Sequence, residues 1–377
     1  MHTQLVVIQP TSFCNIDCQY CYLPDRATAR RMKPETLEQV FKALFASPFL
    51  ADEVLVVWHA GEPLVLPIGF YERAFRLQEK WNCQQVHISN AIQTNATLIT
   101  QRWCQFFQDH NIHVGVSLDG PQEMNDARRI DRAKQGTFER ALRGIEFLRA
   151  WDISFTVISV INSMSVQQPD QFWRFFAELQ PCSLGLNPEE VEGVNTVSSL
   201  HSEEGVQSYK RFIQRLLTLN EQSPDPISIR EIDHLLSLIQ TPEPTVHLQT
   251  NVPMAIINFD CDGNFSTFSP ELLGISHPTY GNFHFGNVFD QELVEIYNNP
   301  KFQRIRREIR EGVRQCEQTC PYFKVCGGGS PSNKLQENGT FASTETMNCR
   351  LQIQVPTDVL LEHLEVKYRI TPSSPPP

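Results

Sequence analysis

The chain reads as α/β, built on a parallel sheet, and three observations predict it. Short apolar runs of strand length recur at 5–8, 54–58, 86–92, 114–118, 155–161 and 184–186. Apolar residues at helical spacing fill the stretches between them, and each crossover helix returns the chain to lay the next strand alongside the last. Short polar groups follow several runs, at the carboxyl ends of strands where α/β folds bind ligands.

The elements follow in order. The run 5–8 is the first strand and leads straight into a cysteine loop. Pro34 suits the first position of a helix, with Leu37, Val40, Phe41, Leu44 and Phe45 on its buried face. A later helix starts after Thr137, a residue type that caps helix N-termini, and presents Phe138, Ala141, Leu142, Ile145 and Leu148. Two helical segments over 202–240 form a bridge that ends at the proline-rich stretch 241–245. Short strands, glycines and clustered cysteines then dominate. The expected division is 1–200, a helical bridge 201–249, a cysteine-bearing domain 250–352, an amphipathic helix 353–370 and a disordered tail 371–377.

Composition narrows the class. The chain has 377 residues, 41% hydrophobic and 10% aromatic, ordinary for a folded protein of two or three domains. A net charge of −11 without a long basic run argues against nucleic acid as a partner. No apolar stretch approaches the ~18 residues that span a bilayer, so no membrane association is expected. Eleven cysteines without a signal peptide point to metal binding in a reducing cytoplasm rather than to disulfides.

Cys14, Cys18 and Cys21 carry the chemistry, in a C-x3-C-x2-C loop. Three thiolates on one loop hold three irons of a [4Fe–4S] cluster and leave the fourth iron open. A zinc loop is the competing reading. The spacing, with the aromatic Tyr20 before the third cysteine, resembles the signature of the radical S-adenosylmethionine (SAM) enzymes. That resemblance implies a partial (β/α)6 TIM barrel, SAM chelated to the open iron, and its reductive cleavage to a 5′-deoxyadenosyl radical. It also implies an electron donor such as a reductase, a flavodoxin or a ferredoxin. Ala60-Gly61-Glu62 stands where the family has Gly-Gly-Glu against the SAM amino group. Asn95, Ser117 and Asp119 lie at ends of the third and fourth strands. Asn125-Asp126-Ala127-Arg128 resembles a His-Asp-x-x-Arg stretch of peptide-modifying members. By this resemblance Tyr20, Ala60, Gly61, Glu62, Asn95, Ser117, Asp119 and Arg128 surround SAM, with Arg128 pairing its carboxylate. A surface salt bridge is the competing reading of Arg128.

The second cysteine set is Cys316, Cys320, Cys326 and Cys349. The region resembles the SPASM extension of peptide-modifying radical SAM enzymes, which holds two auxiliary clusters in its full form. Gly263 matches the glycine of the G-x4-C element, but Phe268 stands in place of its cysteine, and Ser330 replaces another. Each departure removes ligands of the same inner cluster, so one auxiliary [4Fe–4S] cluster is expected, with zinc as the alternative. Cys261 is expected to be non-ligating, and Cys83, Cys104 and Cys182 to be buried small hydrophobes. Gly327-Gly328-Gly329 reads as a tight turn beside the metal site.

Together, 9–24, 58–63, 262–270, 326–334 and 349–351 resemble the GrrM/OscB-type maturases. These form cyclophanes in ribosomally made, glycine-rich precursor peptides. The resemblance implies abstraction of a β-hydrogen near an aromatic residue, addition of the carbon radical to the ring, and loss of one electron and one proton. Glu189, Glu190 and Glu192, after the sixth strand, are candidates for the proton acceptor, and a solvated loop charge is the competing reading of each. The enzyme alternatives are a sulfatase-type formylglycine-generating maturase and a thioether-forming maturase. The non-enzymatic alternative is a zinc or Fe–S peptide-binding scaffold. The first strand starts by Gln4, which leaves no room for a separate leader-binding domain ahead of it.

Overall fold

The computed structural model describes residues 2–241 and 248–368. Its six leading strands are β1 (Thr3–Ile8), β2 (Leu50–Trp58), β3 (His87–Thr94), β4 (His113–Ser117), β5 (Phe155–Ile161) and β6 (Ser183–Pro188). Each neighbouring pair is parallel, in the order β1-β2-β3-β4-β5-β6. The predicted runs therefore lie on the observed strands, which extend one to four residues beyond most of them.

Helix Pro34–Ala46 begins at Pro34 and buries Leu37, Val40, Phe41, Leu44 and Phe45. Each such side chain contributes about 1.5–3 kcal/mol when removed from water. Further helices at Ile68–Trp81, Gln101–Asp109, Phe138–Ala150 and Pro169–Leu179 follow the successive strands, and Glu203–Gln222 and Arg230–Gln240 follow β6.

The sheet does not stop at the barrel. Strand β7 (Ile256–Phe259) pairs parallel with β1, and β8 (Asn264–Thr267) pairs antiparallel with β7. The pair β9 (Ser276–His277) and β10 (Gly281–Asn282) forms a small separate ladder, and β11 (Gly286–Asn287) returns to the edge of β8. The cysteine-rich C-terminal segment is thus bonded to the first barrel strand, so its geometry is referenced to the loop that follows β1.

Three local expectations need correcting. Thr137 precedes its helix, but its hydroxyl donates to Arg129 O, and Asp126 Oδ1 accepts the free amides of Thr137 and Phe138 instead. A carboxylate is the stronger acceptor at a helix N-terminus. Helix Val355–Tyr368 forms, yet its buried residues sit in its first turns, while Leu361, Val366 and Tyr368 are exposed. It is anchored at one end and is not amphipathic along its length; the last two residues of the expected 353–370 helix and the tail lie outside the described residues. Cys104 is buried as expected, whereas Cys83 and Cys182 are exposed, because both lie in connections outside the packed elements.

Candidate active site and metal centres

Cys14, Cys18 and Cys21 lie on the loop after β1, at the carboxyl end of the parallel sheet. The segment after β4 braces that loop. Asp17 N donates to Ile130 O at 2.7 Å and Gln19 N to Arg128 O at 3.0 Å. Arg132 donates to Cys14 O, and Asp17 pairs with Arg26 and Lys134. Two polar groups aim at sulfur: Asn95 Nδ2 lies 3.8 Å from Cys14 Sγ, and Arg129 Nη1 lies 3.8 Å from Cys18 Sγ. Burial pushes the Cys14 and Cys18 thiols up to about 12. Iron binding displaces those protons, because the ligand is the thiolate.

Ala60 and Gly61 are both left-handed, at φ 71° and 60°. A Cβ on Gly61 would stand 2.5 Å from Phe13 O and 2.7 Å from Thr11 O. Glycine is required there because the β2 turn presses against the cysteine loop. Glu62 is fully buried, and its carboxylate accepts from Leu64 N, Thr94 Oγ1 and Asn95 N at 2.7–3.0 Å. Burial lifts its carboxyl to about 7. Glu62 therefore ties the ends of β2 and β3 together with its side chain.

Asp119 is likewise enclosed. It accepts from the Tyr20 hydroxyl at 2.6 Å and Val160 N at 3.1 Å, and pairs with Arg129 Nε at 3.0 Å. Ser117 Oγ accepts from Gln93 Nε2 at 2.9 Å. Arg128, expected as a carboxylate clamp, forms an ion pair with buried Glu189, whose other oxygen accepts from Ser199 N and Oγ. Sequence reasoning missed Arg129, which reaches Cys18 while its neighbour Arg128 pairs with Glu189. No local pattern distinguishes the two arginines.

The glutamates after β6 are not solvated loop charges: two are buried and Glu190 is half-buried. Glu189 and Glu192 are 1% and 3% exposed. Glu190 accepts from Asn333 Nδ2 and Asn348 Nδ2, and Glu192 from Ser332 Oγ and Asn333 Nδ2. Burial, with Glu271 alongside, pushes Glu190 up to about 7 and also raises Glu192 well above the usual carboxylate range. Glu190 and Glu271 line a cavity of about 330 Å³ with Ser330, Ser332, Asn333 and Asn348, and Cys326 and Cys349 form part of its wall. Ser330, which replaces a cysteine of the SPASM pattern, has its hydroxyl 3.5 Å from that of Ser269, the residue after Phe268. Phe268 is fully buried and stacks on Phe302 instead of offering a ligand. On the barrel side, the Tyr22 hydroxyl lies 3.4 Å from His59 Nε2, and burial holds His59 down at about 4, neutral at pH 7.

Cys316, Cys320, Cys326 and Cys349 converge from the end of one long helix and two short turns. Cys316 lies in the last turn of helix Pro300–Thr319, Cys320 caps it, Cys326 ends the turn Phe323–Cys326, and Cys349 ends Met347–Cys349. All four line one cavity of about 210 Å³. The donor set and the cavity fit a polynuclear cluster. Gly327, Gly328 and Gly329 all have positive φ, and Gly329 N donates to Cys326 Sγ at 3.1 Å. Cys261 lies in the β7–β8 connection and is buried.

Comparison with known proteins agrees with this geometry. Residues 8–178 match the model of the radical SAM superfamily, and residues 256–321 match that of an iron–sulfur cluster-binding domain, SPASM. An uncharacterised protein of Synechocystis is 44% identical over 367 residues, covering 96% of this chain and 92% of its own. A serine-type anaerobic sulfatase-maturating enzyme of Bacteroides thetaiotaomicron is 26% identical over 353 residues, 88% of this chain and 83% of its own. The structure of anSMEcpe with bound AdoMet and a Cp18Cys peptide superposes with a TM-score of 0.80 at 22% identity, over 98% of this chain and 100% of that one. Streptococcus suis SuiB bound to the precursor peptide SuiA gives 0.65 at 16% identity, over 92% and 76%. The last two show the shared fold. Among the described residues no helix is long and apolar enough to cross a membrane. The cofactors are SAM and [4Fe–4S] clusters, and the chain belongs to the radical SAM superfamily, with a SPASM iron–sulfur domain joined to its barrel sheet.

Proposed function

We propose that this enzyme is a peptide maturase that joins an aromatic ring to the β-carbon of a nearby residue in a ribosomally made, glycine-rich precursor. The observation that carries the reading is the acidic cavity between the end of β6 and the four-cysteine centre. Ser330, which stands in place of an inner-cluster cysteine of the full SPASM pattern, lines it. With SAM bound at the N-terminal cluster, the cofactor supplies a carbon radical able to remove a hydrogen from an unactivated carbon.

The chain's own residues then have defined tasks. Tyr20, Ala60, Gly61, Asn95, Ser117 and Arg128 surround the SAM position. Glu62 and Asp119 act there by holding strand ends, since protein donors occupy their carboxylates. Ring closure leaves one electron and one proton to be removed from the substrate. Glu190 lines the cavity and has a carboxyl near 7, matched to accepting a proton at neutral pH. Glu189 is engaged with Arg128, and of the three only Glu190 lines the cavity, so Glu190 is the proton acceptor. A reductase, flavodoxin or ferredoxin in the cytoplasm supplies the reducing electron.

The test is anaerobic co-expression with a glycine-rich, aromatic-containing precursor, with Cys14→Ala in parallel. The expected product has lost two hydrogens per modified motif and resists fragmentation inside an aromatic-containing segment. The resemblance to sulfatase-maturating enzymes supports a second reading, formylglycine formation. It predicts an aldehyde that reacts with hydrazines and normal fragmentation around the ring.

A further inference from the structure

Helix Pro331–Asn338 buries an unusual face, comprising Pro331, Ser332, Asn333, Lys334 and Leu335. Lys334 is 2% exposed, although lysine is almost never fully buried without a partner. Its Nζ lies 3.4 Å from Cys316 Sγ, its one side-chain hydrogen bond among the described residues. Two glycines make room for it. A Cβ on Gly312 would stand 3.2 Å from Lys334 Nζ, and one on Gly329 would stand 3.4 Å from Lys334 Cε. The Gly312 position is further closed by Phe341 O at 2.3 Å, so a side chain there has no space to share with the lysine.

We propose that Lys334 is the built-in countercharge of the C-terminal cluster and raises that cluster's reduction potential. Buried charges persist when paired, and four thiolates around an iron–sulfur core leave a net anion for this ammonium to face. Cluster potential depends on net charge, on hydrogen bonds to sulfur and on solvent exposure. Lys334 acts through the first two at once, because a reduced cluster carries one more negative charge beside the same cation. The N-terminal centre has a different balance. Arg129 approaches Cys18 Sγ at 3.8 Å, but Asp119 lies 3.0 Å from its Nε and neutralises it. The chain thus places an uncompensated cation beside one cluster and a compensated one beside the other. This inference rests on the cluster assignment and not on the crosslinking reading, so the two fail separately.

The experiment is a redox titration, followed by electron paramagnetic resonance, of anaerobically purified holoenzyme. Wild type, Lys334→Met, Lys334→Gln and Lys334→Arg are compared, and each is repeated with Cys14→Ala to assign the C-terminal signal. Iron and sulfide are counted in every sample. The expected result is at least a tenfold fall in the one-electron reduction constant of the C-terminal cluster in the Met and Gln variants, a shift of 59 mV. The Arg variant stays near wild type, and the N-terminal midpoint moves by less than a third as much. Iron loss in the Met and Gln variants but not in Arg also supports a countercharge. Four outcomes overturn it: an unchanged midpoint at full iron content, equal shifts in Met and Arg, equal iron loss in all three variants, or a wild-type C-terminal site that is redox-silent.

Discussion

The two metal centres are built by opposite means. The N-terminal one uses three cysteines on a single loop, held from outside by the segment after β4 and by the ends of β2 and β3. The C-terminal one draws four cysteines from a helix end and two later turns and is held from inside, by the Gly329 amide and a buried lysine. On the proposed ligand sets, three thiolates would leave one iron open to SAM and four would close the second cluster. The difference teaches that ligand count sets what each cluster can do, while the nearby charges set how readily it does so.

The largest effect should separate the centres outright. Cys14→Ala is expected to remove about four irons per chain and abolish SAM cleavage. Cys349→Ala should remove a similar amount of iron yet leave deoxyadenosine formation by reduced enzyme in place. Equal loss of SAM cleavage in both variants would show that the two centres are not separable.

The supports around the N-terminal loop come next. Asp119→Ala strands Arg129 in the interior, and breaking a buried pair in this way costs about 3–5 kcal/mol. A fall in the denaturation midpoint of the holoenzyme measures it. A change under 1 kcal/mol would mean that Cys18 and its iron, not Asp119, hold Arg129.

How much of this was legible in the sequence follows the same division. The cysteine sets and the six strands could be read because ligation spacing and strand hydrophobicity are local properties. Arg129 meets Cys18 across 111 positions, and Ser332 meets Glu192 across 140. The first contact exists only once β4 has joined the sheet that β1 begins, and the second only once β7 has been laid beside β1. The glutamates after β6 looked like loop charges for that reason, since their cover arrives with helix Pro331–Asn338. Lys334 was part of a recognised stretch but carried no local mark of burial. Thr137 failed as a cap because Asp126 reached its amide first.

A pH series tests the acidic cavity that lies between the two centres. Glu190 keeps its proton to about 7 when folded, against an ordinary value of 4.5. The folded state therefore binds more protons than the unfolded one between those values, and stability falls as pH rises through that window. Glu190→Gln should flatten the slope between pH 4.5 and 7 and stabilise the protein most at its upper end. A slope identical to wild type would place the titration elsewhere, with Glu62 the next group to vary.

The smallest effect is the most exacting for the wall between barrel and loop. Ala60 is left-handed, which costs a residue with a Cβ roughly 1–2 kcal/mol. Glycine would relieve that strain. It would also give up a buried methyl worth about 0.8 kcal/mol and enlarge the unfolded ensemble by about 0.4–1 kcal/mol. These terms nearly cancel, so Ala60→Gly is expected to change stability by less than about 0.5 kcal/mol, the size of an ordinary neutral substitution. The balance explains how alanine occupies a position where related enzymes carry glycine. Gly61→Ala has no such compensation, because its Cβ meets two backbone oxygens of the cysteine loop. Paired thermal melts and iron counts decide the matter: a destabilised Ala60→Gly with normal iron would show that the methyl packs against the loop more tightly than its strain costs.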